Sequence, residues 1–276
     1  MKRRLGQARR YLVWLWREYQ HDRCGQAAAS LAFGTLLSLV PLVALLAWLT
    51  RPFHRYISNP LESMAPFFTP TPRLQEIIQA NVSRYADNAG KLGVVGLVFF
   101  LFVAWGMLGA IESVINDIWH VSQRRGQMRR LLRFWVAIAA VPVLFIASAA
   151  LNQALERAVI LKGLMQQGFY NWLLADLLPF LLLTASASIA YWVLPAVPVR
   201  ARAALTGGLV TGALYNLVRW LFGLYVSSIG TYDRIYGLLG VIPAFLIWLV
   251  IVWSVVLLGA EVAYSVQRPW DEVLPP

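Results

Sequence analysis

Residues 235–260 read IYGLLGVIPAFLIWLVIVWSVVLLGA, 26 consecutive positions without a charged side chain. As a helix this run is about 39 Å long at 1.5 Å per residue, more than the roughly 30 Å of hydrocarbon a membrane span has to cross. The same pattern recurs at Gly25–Thr50, Leu92–Ile111, Phe134–Leu155 and Leu177–Val199. A further apolar segment, Ala203–Ile229, is interrupted only by Arg219. The expected fold is all-α: a polytopic membrane protein with a bundle of six transmembrane helices at about 25–50, 92–115, 134–155, 171–194, 203–229 and 237–262.

Composition agrees with this reading. The 276-residue chain is 59% hydrophobic and 13% charged, against about 45–50% and 25% for an ordinary soluble domain. Its single cysteine, Cys24, excludes an intrachain disulfide framework. The net charge of +11 has a topological reading. With six spans and the N-terminus inside, 15 of the 24 Lys and Arg residues fall on the cytoplasmic side and 8 on the other, with Arg219 inside a span. The positive-inside rule then places both termini in the cytoplasm, so the basicity does not call for nucleic acid.

Residues 1–24 are too polar for a signal peptide, because the apolar run Tyr11–Trp16 is followed by Arg17, Asp22 and Arg23. Leu5, Ala8, Leu12, Leu15, Trp16 and Tyr19 instead gather on one face of a helix, with Arg3, Arg10 and Arg17 largely opposite. The expectation is a basic amphipathic helix lying on the cytoplasmic leaflet. Residues 51–91 form an outer region, proline-rich and then helical, and residues 263–276 a cytoplasmic tail. Pro41, Pro142, Pro179 and Pro243 fall in four of the six spans and predict interrupted helices. Gly208-x-x-x-Gly212 is a close-packing motif that suits contacts within the chain or between copies.

No metal or hydrolytic constellation is visible. His21, His54 and His120 belong to three separate segments, and neither a P-loop nor a G-x-S-x-G motif occurs. No enzyme activity, metal or cofactor is expected. The informative groups are ionisable residues in apolar surroundings. Arg219 lies about 15 Å from the outer end of its span and Asp176 about 7 Å from the same side. They could form a buried pair that fixes helix register, or Arg219 could face a cavity and contact an anion such as a phosphate. Arg219, Asp176, Asn216, Tyr232 and Tyr236 are the candidates for a substrate path. Glu112 and Glu261, near the cytoplasmic ends of their spans, are candidates for interfacial contacts or arginine pairing.

Two stretches carry a family resemblance. Ala27-Ala-Ala-Ser-Leu-Ala-Phe-Gly-Thr-Leu-Leu-Ser-Leu-Val-Pro-Leu42 resembles the opening of the YihY/BrkB family of bacterial inner-membrane proteins. So does Tyr225–Ala263, with Thr231-Tyr-Asp-Arg-Ile-Tyr-Gly-Leu-Leu-Gly240, Pro243, Trp248 and Leu258-Gly-Ala-Glu261. The resemblance implies a six-helix, multi-pass inner-membrane protein. Some such proteins are named virulence factors through serum resistance, and others are linked to export of lipid or lipopolysaccharide precursors. It carries over no catalytic residues. An older label of the family, a tRNA-processing ribonuclease, finds no clustered His and Asp ligands in this sequence.

The function expected from these readings is transport or accommodation of an anionic amphiphile such as an envelope lipid. The alternative is a structural or adaptor protein of the envelope whose 51–91 region docks a partner. The partners expected are membrane lipids, anionic ones included, with a homo-oligomer left open and nucleic acid excluded.

Overall fold

A computed structural model describes residues 2–50, 93–121, 177–228 and 238–268. Among them all regular structure is helical: α1 (Lys2–His21), α2 (Cys24–Thr50), α3 (Gly93–Ile118), α4 (Leu178–Val193), α5 (Ala201–Ser228) and α6 (Leu238–Gln267). Among the described residues, two stretches are long and apolar enough to cross a membrane, Leu101–Ile118 with mean hydropathy 1.4 and Pro243–Gln267 with 2.4. Of the four span prolines, Pro243 lies inside α6 and Pro41 within α2. Pro179 stands in the first turn of α4, two residues after Leu177, whose backbone is already helical; the part of the fourth expected span before Leu177 lies outside the described residues. Pro142, the third and much of the fourth expected span, and the 51–91 region lie outside the described residues.

The chain divides into two compact units. The first comprises Met1–Gly25, Glu112–Asn216 and Ser254–Pro276, the second Gln26–Ile111 and Leu217–Trp253.

Small residues determine the packing of the first unit. A Cβ on Gly208 would run into Ser188 Oγ and the Thr184 carbonyl oxygen, and one on Gly212 into Thr184 Oγ1 and the Phe180 ring. The glycines of the Gly208-x-x-x-Gly212 motif therefore let α5 approach α4 within the same chain. On α6, a Cβ on Gly259 would meet Thr211 Oγ1 and Tyr191 Oη. With backbones this close, the fully buried Tyr191 reaches across and donates its hydroxyl to Val256 O at 2.6 Å, with Thr211 Oγ1 2.8 Å away. Pro195, with no N–H to carry the helix on, follows the end of α4, and residues 194–197 bend into the link to α5. That link is fastened by Asn116 Oδ1, which accepts from Ala196 N at 2.7 Å, and by Gln267 Nε2, which donates to Pro198 O at 3.0 Å.

Helix α1 turns one flank of its apolar face to the same unit. Leu15 and Tyr19 are buried, and Tyr11 Oη lies 2.8 Å from Ser265 Oγ. Leu12 and Trp16, each 61% exposed, face outward with Val13.

Two helix ends carry left-handed residues that are not glycine, Arg23 (φ 52°) and His120 (φ 51°). After α3, His120 N donates to Asp117 O and Val121 N to Asn116 O, each at 3.0 Å. This is a Schellman cap with histidine at the position glycine usually fills, at a cost of about 1 kcal/mol for the Cβ.

In the second unit, Thr35 Oγ1 on α2 donates to Leu31 O and accepts from Trp253 Nε1 at 3.0 Å. Phe222 packs against the buried Trp248, ring centroids 5.1 Å apart. Phe99, Phe102 and Trp105 of α3 and Leu217, Trp220 and Leu224 of α5 are exposed, an apolar surface that suits lipid contact.

Candidate functional site

Among the described residues of the first unit, a group of ionisable side chains surrounds the joint between α1 and α2. Asp22 and Arg23 occupy that joint, and the left-handed Arg23 turns the chain so that α2 starts immediately at Cys24. Asp22 has only 6% of its side chain exposed, and its Oδ1 stands 3.5 Å from His120 Nε2 at the end of α3. His120 Nδ1 is 3.1 Å from Ile118 O, so the Nδ1–H donates to that carbonyl and Nε2 points at the carboxylate. Cys24 Sγ donates to Glu261 Oε1 at 3.4 Å, with both residues 0% exposed. Glu261 also stands beside the Asp22 carboxyl. The two buried carboxyls share a proton in a side-chain hydrogen bond, and Asp22 Oδ2 and Glu261 Oε2 have no other hydrogen-bond partner among the described residues.

Burial raises the Asp22 carboxyl above its ordinary value, with His120 pulling the other way. Burial also raises the Cys24 thiol, and the neighbouring Glu261 carboxylate adds to that shift. Aromatic rings border the group. His120 stacks on Tyr264 with centroids 5.4 Å apart, His21 lies parallel to His120 at 6.4 Å, and the Arg268 guanidinium sits 4.5 Å from the Tyr264 ring centroid.

Arg219 occupies a different place, in the second unit. It is half-exposed on α5, nine residues before the helix ends at Ser228, and no carboxylate pairs with it among the described residues. Its neighbours Leu217, Trp220 and Leu221 are exposed. Asn216 directs its amide along its own helix, Nδ2 donating to Gly212 O at 3.1 Å. Glu112 is half-buried on α3. Glu261 faces Cys24 and Asp22, with no arginine partner among the described residues. Asp176, Tyr232 and Tyr236 lie outside the described residues.

The sequence profile of the Virulence factor BrkB family matches residues 15–275. The chain belongs to that family. Its BrkB-type relatives include the UPF0761 membrane protein of Alkalilimnicola ehrlichii, 35% identical over 93% of this chain and 59% of the relative. The UPF0761 membrane protein of Photobacterium profundum is 31% identical over 95% of this chain and 82% of its own length. That of Tolumonas auensis is 32% identical over 92% and 84%. Against the first of these the chain spans somewhat over half of the length. No solved structure matches the chain. Membrane residence follows for this BrkB-family chain from the family and from the apolar helices together.

Within the BrkB-type sequence, the cluster of His21, Asp22, Cys24 and His120 was not legible. His21 and His120 stand 99 positions apart, and neither lies in a periodic pattern. One local signal existed: both histidines fall where an apolar pattern breaks, the places where chain ends of helices can be brought together.

Proposed function

We propose that this chain is a six-span inner-membrane protein, with both termini cytoplasmic, that accommodates or moves an anionic amphiphile across the membrane without covalent chemistry. The observation that supports this most directly is Arg219, half-exposed on an otherwise lipid-suited helix and without a carboxylate partner among the described residues.

Helix α5 has 28 residues, about 42 Å at 1.5 Å per residue, and Arg219 lies about 13.5 Å from its outer end. Centred in a bilayer, α5 holds Arg219 within the hydrocarbon zone, about 7 Å to the outer side of the midplane. A cation there costs upward of about 2.5 kcal/mol unless an anion or water compensates it. A lipid phosphate can serve as that anion, because the planar guanidinium fork binds phosphate bidentately. The exposed Trp220 and Leu217 beside it suit the acyl part of the same molecule. Helix α1 fits the reading as an interfacial element, since Leu12, Val13 and Trp16 face outward between the exposed Arg9, Arg10 and Arg17, an arrangement that favours an anionic leaflet.

Native mass spectrometry of the detergent-solubilised protein tests the binding half of the proposal. Wild type retains an anionic phospholipid in preference to a zwitterionic one, and Arg219→Gln loses that preference. Equal retention of both lipids by wild type would contradict it.

A further inference from the structure

We infer that His21, Asp22 and His120 form a binding site for a divalent first-row transition-metal ion of the zinc type. One ligand atom from each of the three residues lies within 4.8 Å of the others.

Four observations lead there. First, the His120 Nε2 to Asp22 Oδ1 separation is 3.5 Å, too long for a good N–H···O hydrogen bond, which spans about 2.7–3.2 Å. Two ligands of one tetrahedral zinc, each about 2.0–2.1 Å from the ion, stand about 3.3–3.4 Å apart. The spacing is that of two groups facing a common ion.

Second, His120 is arranged as a metal ligand. Its Nδ1–H is taken by Ile118 O at 3.1 Å, which fixes the tautomer and leaves the Nε2 lone pair facing Asp22. Histidines that bind metals almost always donate the other ring N–H to a carbonyl or carboxylate in this way.

Third, the charge balance is incomplete. Asp22 and Glu261 share one proton in a side-chain hydrogen bond, which leaves one buried negative charge, and no Lys or Arg bridges to either carboxyl among the described residues. A divalent cation at Asp22 supplies the missing positive charge, and Glu261 then lies behind the ligand it supports.

Fourth, histidine holds a left-handed position where glycine would be easier. Backbone strain kept in a packed structure collects where a side chain is used. His21 is exposed, so it closes on the ion by a rotamer change alone, and its exposed side leaves a coordination position open to water. The ion fastens the α1–α2 joint to the end of α3, both within the first unit. This site is independent of the lipid reading, and either can fail alone.

The test uses the full chain in detergent, purified without a polyhistidine tag, with Zn2+ as the probe. The variants are His21→Ala, His120→Gly and His54→Ala. His120→Gly removes the imidazole while easing the left-handed backbone, so loss of folding does not obscure loss of binding. Wild type and His54→Ala bind one Zn2+ per chain by calorimetry and metal analysis, and their melting temperature falls on chelation. His21→Ala and His120→Gly bind on the order of 100-fold more weakly, at or beyond the effect of losing a supporting group. No saturable Zn2+ binding by wild type, or binding unchanged in His21→Ala and His120→Gly, would overturn the assignment. So would binding lost only in His54→Ala.

Discussion

The Tyr191 hydroxyl donates to Val256 O at 2.6 Å, joining α4 to α6 through a phenol that is completely buried. In a membrane protein such a bond has no water to compete with it, yet the measured worth of interhelical hydrogen bonds in bilayers is modest, roughly 0.6 kcal/mol on average and up to about 2. Tyr191→Phe keeps the ring and loses the bond, so it should cost about 1 kcal/mol. Tyr191→Ala also leaves a cavity and should cost about 3–5 kcal/mol, the range for aromatic truncation. Denaturant titration in mixed micelles measures both.

Gly208 and Gly212 face Ser188, Thr184 and Phe180 of the same chain. Substituting either by Leu should therefore reduce the yield of folded monomer, not shift an oligomeric equilibrium. The measurement is fluorescence-detected gel filtration of solubilised variants against wild type. A Gly208→Leu protein that folds in full yield but changes its elution volume would assign the motif to contacts between copies instead.

Cys24 is the one thiol in the chain, and burial raises its pKa. A raised folded-state value means that the thiol's contribution to stability is fully present below the unfolded pKa of about 8.5 and declines as pH rises from there toward the folded value. Two outcomes are expected. Native protein at pH 8 should react with a maleimide far more slowly than denatured protein, and wild-type stability should fall between about pH 8.5 and 10 with a slope that Cys24→Ala lacks. The raised phenol of Tyr19 adds to such a loss only nearer pH 10 and above.

The proposed topology places the loops richest in basic residues inside. A reporter active only in the cytoplasm should work when fused after Glu272 and fail when fused after Gln75, and an export-dependent reporter should do the reverse. An export-dependent reporter that works after Glu272 would overturn the N-in, C-in arrangement.

Much of this architecture is readable from local sequence because hydrophobic length is a local property. The uncharged run at 235–260 anticipates α6, and the small residues of α5 announce close approach. Which helices approach α5 is not local: Gly208 meets Ser188 of α4 while Gly207 meets the Gly259 carbonyl of α6, and nothing in the spacing distinguishes the two faces. Helix α1 shows the same limit. Leu12, Leu15, Trp16 and Tyr19 share one apolar arc, but the structure buries only the flank of Leu15 and Tyr19 and leaves Leu12 and Trp16 outside. Periodicity gives the width of an apolar face and not how it is shared between protein and lipid. The His120–Asp22 pair is least legible, since it depends on where two helix ends meet and on a non-glycine residue in the left-handed region.

The most direct test of the lipid reading is transbilayer movement by purified protein in liposomes carrying a labelled anionic phospholipid, with wild type, Arg219→Lys and Arg219→Gln compared at matched folded amounts. Lysine keeps the charge and loses the planar fork. Wild type should accelerate movement of the labelled lipid, and both variants should slow it at least tenfold with melting temperatures unchanged. Wild type that accelerates movement of no envelope lipid, or variants that move it as fast as wild type, would contradict the assignment of Arg219 to the substrate path.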